Sequence, residues 1–201
     1  MITSYDQLTI KQYLQLKLIA ELESDPLIRK MKMLAEVSGQ SLEWAEALPI
    51  GELISRLEKL DRIAEIPEGG KVNMKLKAGG KKWILKWRTQ DLLGSQYIDS
   101  MHFLKDEAKI EKNIHNVLAS IAVEVNWYGK ELPYDGNNHK ERAETFKNEL
   151  KMAQVYPIYV FFCEYFKTLT DNIQTYLIAE AEKVVKEVGD HLEINGVGLQ
   201  Q

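Results

Sequence analysis

The chain has 201 residues, 45% of them apolar and 28% charged, with a formal net charge of −4 and a single cysteine. That length supports one substantial core or two small ones, and the acidic balance excludes a protein that coats nucleic acid with its whole surface. Cys163 alone cannot build a disulfide framework within the chain, and no apolar run approaches the length needed to span a bilayer.

The first residues, MITSYDQLTIKQYLQL, lack a basic head followed by an apolar run, so they do not read as a signal peptide and predict folding in a cytoplasm. Thr9 and Gln12 have capping-box spacing, and Ile10, Leu14, Leu18 and Leu22 form a helical stripe that Leu16 and Ile19 widen. Ser24-Asp25-Pro26 stops this helix and starts another, with Asp25 as cap and Pro26 at the first helical position. Gly39 is placed as a left-handed cap, Ser41 opens a short third helix, and Pro49 opens a fourth over IGELISRLEKLDRI. Residues 1–66 therefore predict a compact helical module.

Residues 67–90 hold the most unusual stretch. From Lys71 to Arg88 there are seven positive charges and no negative one, so the remainder of the chain sums to −11. A two-residue turn at Gly79-Gly80 sets Ala78 opposite Lys81, then pairs Leu76 with Trp83, Met74 with Leu85 and Val72 with Trp87, all on one face. The opposite face carries Lys75, Lys77, Lys82 and Lys86, with Ile84 as its large apolar member and Arg88 close by. Three readings stay open for these cations: a solvated face that protects an edge strand, a docking surface for an acidic neighbour, or a nucleic-acid backbone contact, which is not favoured.

Residues 91–188 return to a helical pattern. QYIDSMHFLKDEAKIEKNIHNVLASIAVEV reads as helix throughout, with a break near Lys105-Asp106. NWYGKELPYDGNNHKE reads as a long, polar surface loop with exposed aromatics. Helices are expected from about Arg142 to Met152 and through the apolar block that begins at Val155, and residues 189–201 as a flexible or partner-ordered tail. Cys163, inside VYPIYVFFCEYF, reads as a small buried hydrophobe. The fold class is α+β and predominantly α-helical, with an N-terminal module, a basic β-hairpin and a C-terminal helical bundle.

No chemical motif accompanies this pattern. His102 with Asp106, and Glu111 with His115, are four apart and read as surface hydrogen bonds or weak ion pairs, since a pair falls short of a zinc set. The glycine pairs lack a phosphate-loop arrangement, and no serine sits in a nucleophile elbow. The reading is of a non-enzyme with no catalytic, cofactor-binding or metal residues. Its candidate contact residues are the aromatics Tyr5, Trp127, Tyr128 and Tyr134 and the lysine face.

The opening Leu8-Thr9-Ile10-Lys11-Gln12-Tyr13-Leu14, the step Val37-Ser38-Gly39 and the amphipathic run from Leu53 to Leu60 resemble small proteins encoded among tailed-bacteriophage structural genes. The resemblance covers residues 5–60, with a weaker echo in the hairpin, QYIDSMHF and VYPIYVFFCEYF. It is to tail assembly chaperones and to virion ring or cargo proteins of crAss-like phages. It implies a structural or cargo component of the neck, tail or capsid interior, found in the virion after synthesis in a bacterial host. Its partners would be other phage structural proteins or further copies in an oligomer or ring. The alternative it implies is a cytoplasmic chaperone for tape-measure or tail-tube protein. Such chaperones are often shorter and mostly helical, and the hairpin and long C-terminal half depart from that pattern.

Overall fold

The computed structural model describes residues 4–63, 71–104 and 107–163. The chain divides into two compact units, Met1–Val160 and Phe161–Gln201, and every helix and strand between Tyr5 and Glu149 belongs to the first. The boundaries expected at 66/67 and 90/91 therefore do not separate independent bodies. The expected tail and the end of the C-terminal bundle lie outside the described residues.

The helical module forms as its capping residues dictate. In α1 (Ile10–Leu22) the Thr9 hydroxyl accepts from the Gln12 N–H while the Gln12 side chain accepts from the Thr9 N–H, a complete capping box. Asp25 Oδ1 accepts from the N–H groups of Leu27 and Ile28 at 2.8 and 2.9 Å, starting α2 (Pro26–Ser38). Gly39 ends α2 with φ +63°, a conformation that penalises any Cβ. Ser41 caps the short α3 (Leu42–Glu46), and α4 (Ile50–Ile63) returns along α2.

The hairpin takes the expected register. β1 (Lys75–Ala78) and β2 (Lys81–Leu85) are antiparallel with Leu76 opposite Trp83 and Ala78 opposite Lys81. Gly79 and Gly80 both have positive φ, 61° and 69°, the requirement of a type I′ turn. Met74 O accepts from the Leu85 N–H at 2.8 Å, but the Val72/Trp87 pair lies beyond the strand ends.

The principal departure comes after α5 (Gly94–Leu104) and α6 (Glu107–Ile121). The residues AVEV, expected to continue the helix, form β3 (Ala122–Val125), which adds antiparallel to β2. The sheet order is β1-β2-β3. Alternation decides this outcome: Ala122 and Glu124 share the face of Trp83 and Leu85, while Val123 and Val125 join Ile84 on the other. The Trp83 face packs on α7 (His139–Glu149), where Trp83 and Phe146 meet edge to face at 5.3 Å, and α6 lies between α5 and α7. Ile110, Ile114, Val117, Leu118 and Ile121 of α6 are all buried there.

Two sets of bonds join the module to this core. Leu8 O accepts from Met152 N–H at 2.8 Å and Leu150 O accepts from Ile10 N–H at 3.1 Å, around an antiparallel bridge between Thr9 and Lys151. Glu111 of α6 accepts from the Tyr13 hydroxyl and the Lys17 ammonium of α1, and Lys112 pairs with Glu21 at 3.0 Å. Glu111 is thus turned away from His115, correcting the pairing expected from their spacing. Residues 152–160 continue as helix, burying Met152, Val155 and Ile158.

Candidate interaction surfaces

The lysine face is only partly free. Lys75, Lys77 and Lys82 are exposed and have no ion-pair partner among the described residues. Lys86, expected beside them, is half-buried and paired with Glu131 at 2.5 Å. The added strand explains the difference, because Glu131 bridges to Val125 and arrives next to Lys86. Lys81 pairs with Glu124 across β2 and β3 at 2.7 Å. Arg88 is exposed and lies over the Trp87 ring at 5.0 Å. At the sheet edge the Lys75 N–H donates to Asn73 Oδ1, removing one of the open main-chain donors of β1.

The four candidate aromatics separate into two classes. Tyr5 is 4% exposed, wedged edge-on against Tyr13 and Tyr156 at 6.0 and 6.1 Å, so it is a core residue and not a surface anchor. Burial pushes its pKa well above the usual tyrosine value, and its hydroxyl lacks a hydrogen-bond partner among the described residues. Tyr134 is half-buried, donates to Asp99 at 3.1 Å, and has its pKa pushed up to about 12, chiefly by burial. Trp127 and Tyr128 are 81% and 65% exposed.

That exposed pair sits on a built turn and not on a loose loop. The Asn126 N–H donates to Lys130 O at 2.9 Å, and Asn126 Oδ1 accepts from the N–H groups of Tyr128 and Lys130 at 3.2 and 2.9 Å. Gly129 supplies the required positive φ of 85°, and Leu132 N–H returns to Glu124 O at 2.8 Å. The segment expected as a long loop therefore begins as a hairpin extending the sheet. The two rings lie against each other, centroids 3.7 Å apart.

Beside the sheet is a cavity of about 290 Å³ between Trp83, the 132–135 segment and the first turns of α7. Arg142 crosses its wall, 7% exposed, with its guanidinium 4.9 Å from the Tyr134 ring and 5.8 Å from the Trp83 ring. Nε donates to Ala119 O at 2.8 Å and Nη1 to Asp135 O at 3.2 Å, while Nη2 has no partner among the described residues. Burial holds the Arg142 pKa below its ordinary value, opposed by Tyr134 and Asp135. Of the cavity's carboxylates, Glu124 is held by Lys81 and Asp135 accepts from Asn137 and Asn138. The cation therefore ties the segment to α6 and the sheet, and sequence pattern gives no sign of it.

The histidines do not assemble a reactive centre with carboxylates among the described residues. His102 is exposed and edge-on to Phe103 at 5.1 Å. His115 is 8% exposed, and its pKa is lowered to about 4, by burial first and then by Lys147, with Glu144 opposing. His139 stacks on Phe103, with Nε2 3.1 Å from both Ser120 Oγ and Asn116 O. Ser120 is fully buried and donates to Asn116 O at 3.0 Å, so this serine–histidine contact joins α6 to α7 and presents no accessible nucleophile. His191 and Asp106 lie outside the described residues. Among the described residues, no three His, Cys, Asp or Glu side chains are grouped to hold a metal ion, and no helix is long and apolar enough to cross a membrane. Cys163 is half-buried, more open than expected.

The chain matches no protein-family model, no curated protein and no solved structure.

Proposed function

We propose that this chain is a non-enzymatic structural or cargo component of a tailed-phage virion, acting by protein–protein contact in the neck, tail or capsid interior. The observation that carries the reading is the rigid turn presenting Trp127 and Tyr128 largely to solvent. Large aromatics on a pre-formed turn lose little conformational freedom on binding, which is why such residues dominate interface energetics. Burying a side chain of this class removes about 150–250 Å² from water, roughly 4–6 kcal/mol before association costs. The resemblance of residues 5–60 to phage structural proteins supplies the setting. Lys75, Lys77 and Lys82 offer an acidic neighbour a second, salt-sensitive contact.

Mass spectrometry of washed, intact particles from the source virus tests the reading. The chain is expected in them, and a Trp127→Ala/Tyr128→Ala variant is expected to be depleted at equal expression. Absence from particles, with recovery on tape-measure or tail-tube protein from lysate, would replace this reading with the chaperone one.

A further inference from the structure

The helical module carries an apolar groove of about 400 Å³, walled by Leu8, Tyr13, Leu16 and Ala20 on one side and by Met33 and Leu60 on the other. Its charged fittings are mostly cationic. Lys17, Arg29 and Lys30 outnumber the single anion Asp61, and since Lys17 is held by Glu111 and Lys30 by Asp61, Arg29 is left without an ion-pair partner among the described residues.

We infer that this groove receives the Trp127–Tyr128 tip of a second copy of the chain. This rests on the reading that the protein works by surface contact, and names one such contact. An occupant of the groove needs flat apolar surface for the walls and a π face for the Arg29 cation. The tip brings both. Its rings are the most exposed aromatics among the described residues, and the Trp127 indole N–H has no partner there. The groove volume lies at the low end of the roughly 300–1,000 Å³ typical of ligand-sized pockets, suited to one or two ring systems. Trp127 is 81% exposed on its own turn, so it does not fill the groove of its own chain. Tip and groove are different patches, so the contact is head-to-tail: each copy gives one tip and accepts one, and repetition yields a ring or a filament.

Sedimentation velocity on the full chain tests this with two variants at exposed positions, Trp127→Ala/Tyr128→Ala (no tip) and Ala20→Arg (blocked groove). Wild type is expected to associate with rising concentration and each variant to stay monomeric with an unchanged melt. Mixed one to one, the variants keep a single usable tip and a single usable groove, so they should form a heterodimer and nothing larger. A monomeric wild type, or a mixture that stays monomeric while wild type associates, overturns the proposal. Wild type that is monomeric yet present in washed particles removes this contact and leaves the virion reading standing. Self-association of this pattern in a chain absent from particles supports the contact and removes that reading.

Discussion

Adding a proton to His115 means placing a charge where Lys147 and His139 already oppose it and Glu144 alone helps, inside the α6–α7 interface. Its pKa is lowered from the ordinary value of 6.5 to about 4, so between those values the unfolded chain binds the proton and the folded chain does not. Stability is therefore complete above about pH 6.5 and falls as pH drops toward 4, by on the order of 3 kcal/mol for this group. Urea melts across that range should show the slope, and His115→Leu should flatten it. The hairpin turn gives a second test. A Cβ on Gly79 would stand 3.0 Å from Thr145 Cγ2, whereas one on Gly80 meets nothing within 4 Å, and both have positive φ. Gly80→Ala should cost about 1 kcal/mol of backbone strain and Gly79→Ala clearly more, with Thr145→Ser recovering the excess. Single residues are legible in the sequence where their chemistry is local: Thr9, Asp25, Gly39 and the glycine turn behave as their types require. Tyr5 and Glu111 are not, because their partners, Tyr156 and Tyr13, come from elements distant in sequence.

The hairpin as an element illustrates how far pattern reaches. Its register follows from alternation about Gly79-Gly80, yet β3 stays hidden, because IHNVLASIAVEV places apolar residues at helical spacing up to the point where Val123 and Val125 begin to alternate. The available signal is the turn-forming NWYGK that comes after it, which closes β3 against Glu131 and Leu132. That strand divides the lysines into two populations, which mutation can separate. Lys75→Glu, Lys77→Glu and Lys82→Glu together should leave the melting temperature nearly unchanged, since none of the three has an ion-pair partner among the described residues. Lys86→Glu faces Glu131 in a half-buried contact and should lower stability by about 1 kcal/mol. Any weak retention on heparin or duplex DNA should be lost in the triple variant and should fall as salt is raised.

On the scale of the whole unit, the module and the core are held as one body by residues 8–10 against 150–152. Leu8 is 1% exposed and Leu150 fully buried, so Leu8→Ala should open a cavity costing about 2–5 kcal/mol. Chemical denaturation should then show one shifted transition. A separate, unshifted transition for the α5–α7 core would mean that the module melts alone. Pairing between segments so far apart leaves no mark on local periodicity, which is why residues 1–66 read as a self-contained domain. The same strap has a bearing on biosynthesis. Thr9 leaves the ribosome about 140 residues ahead of Lys151. At about 5–20 residues per second the nascent N-terminus waits roughly seven to thirty seconds for its strand partner, a window in which folding factors would find it.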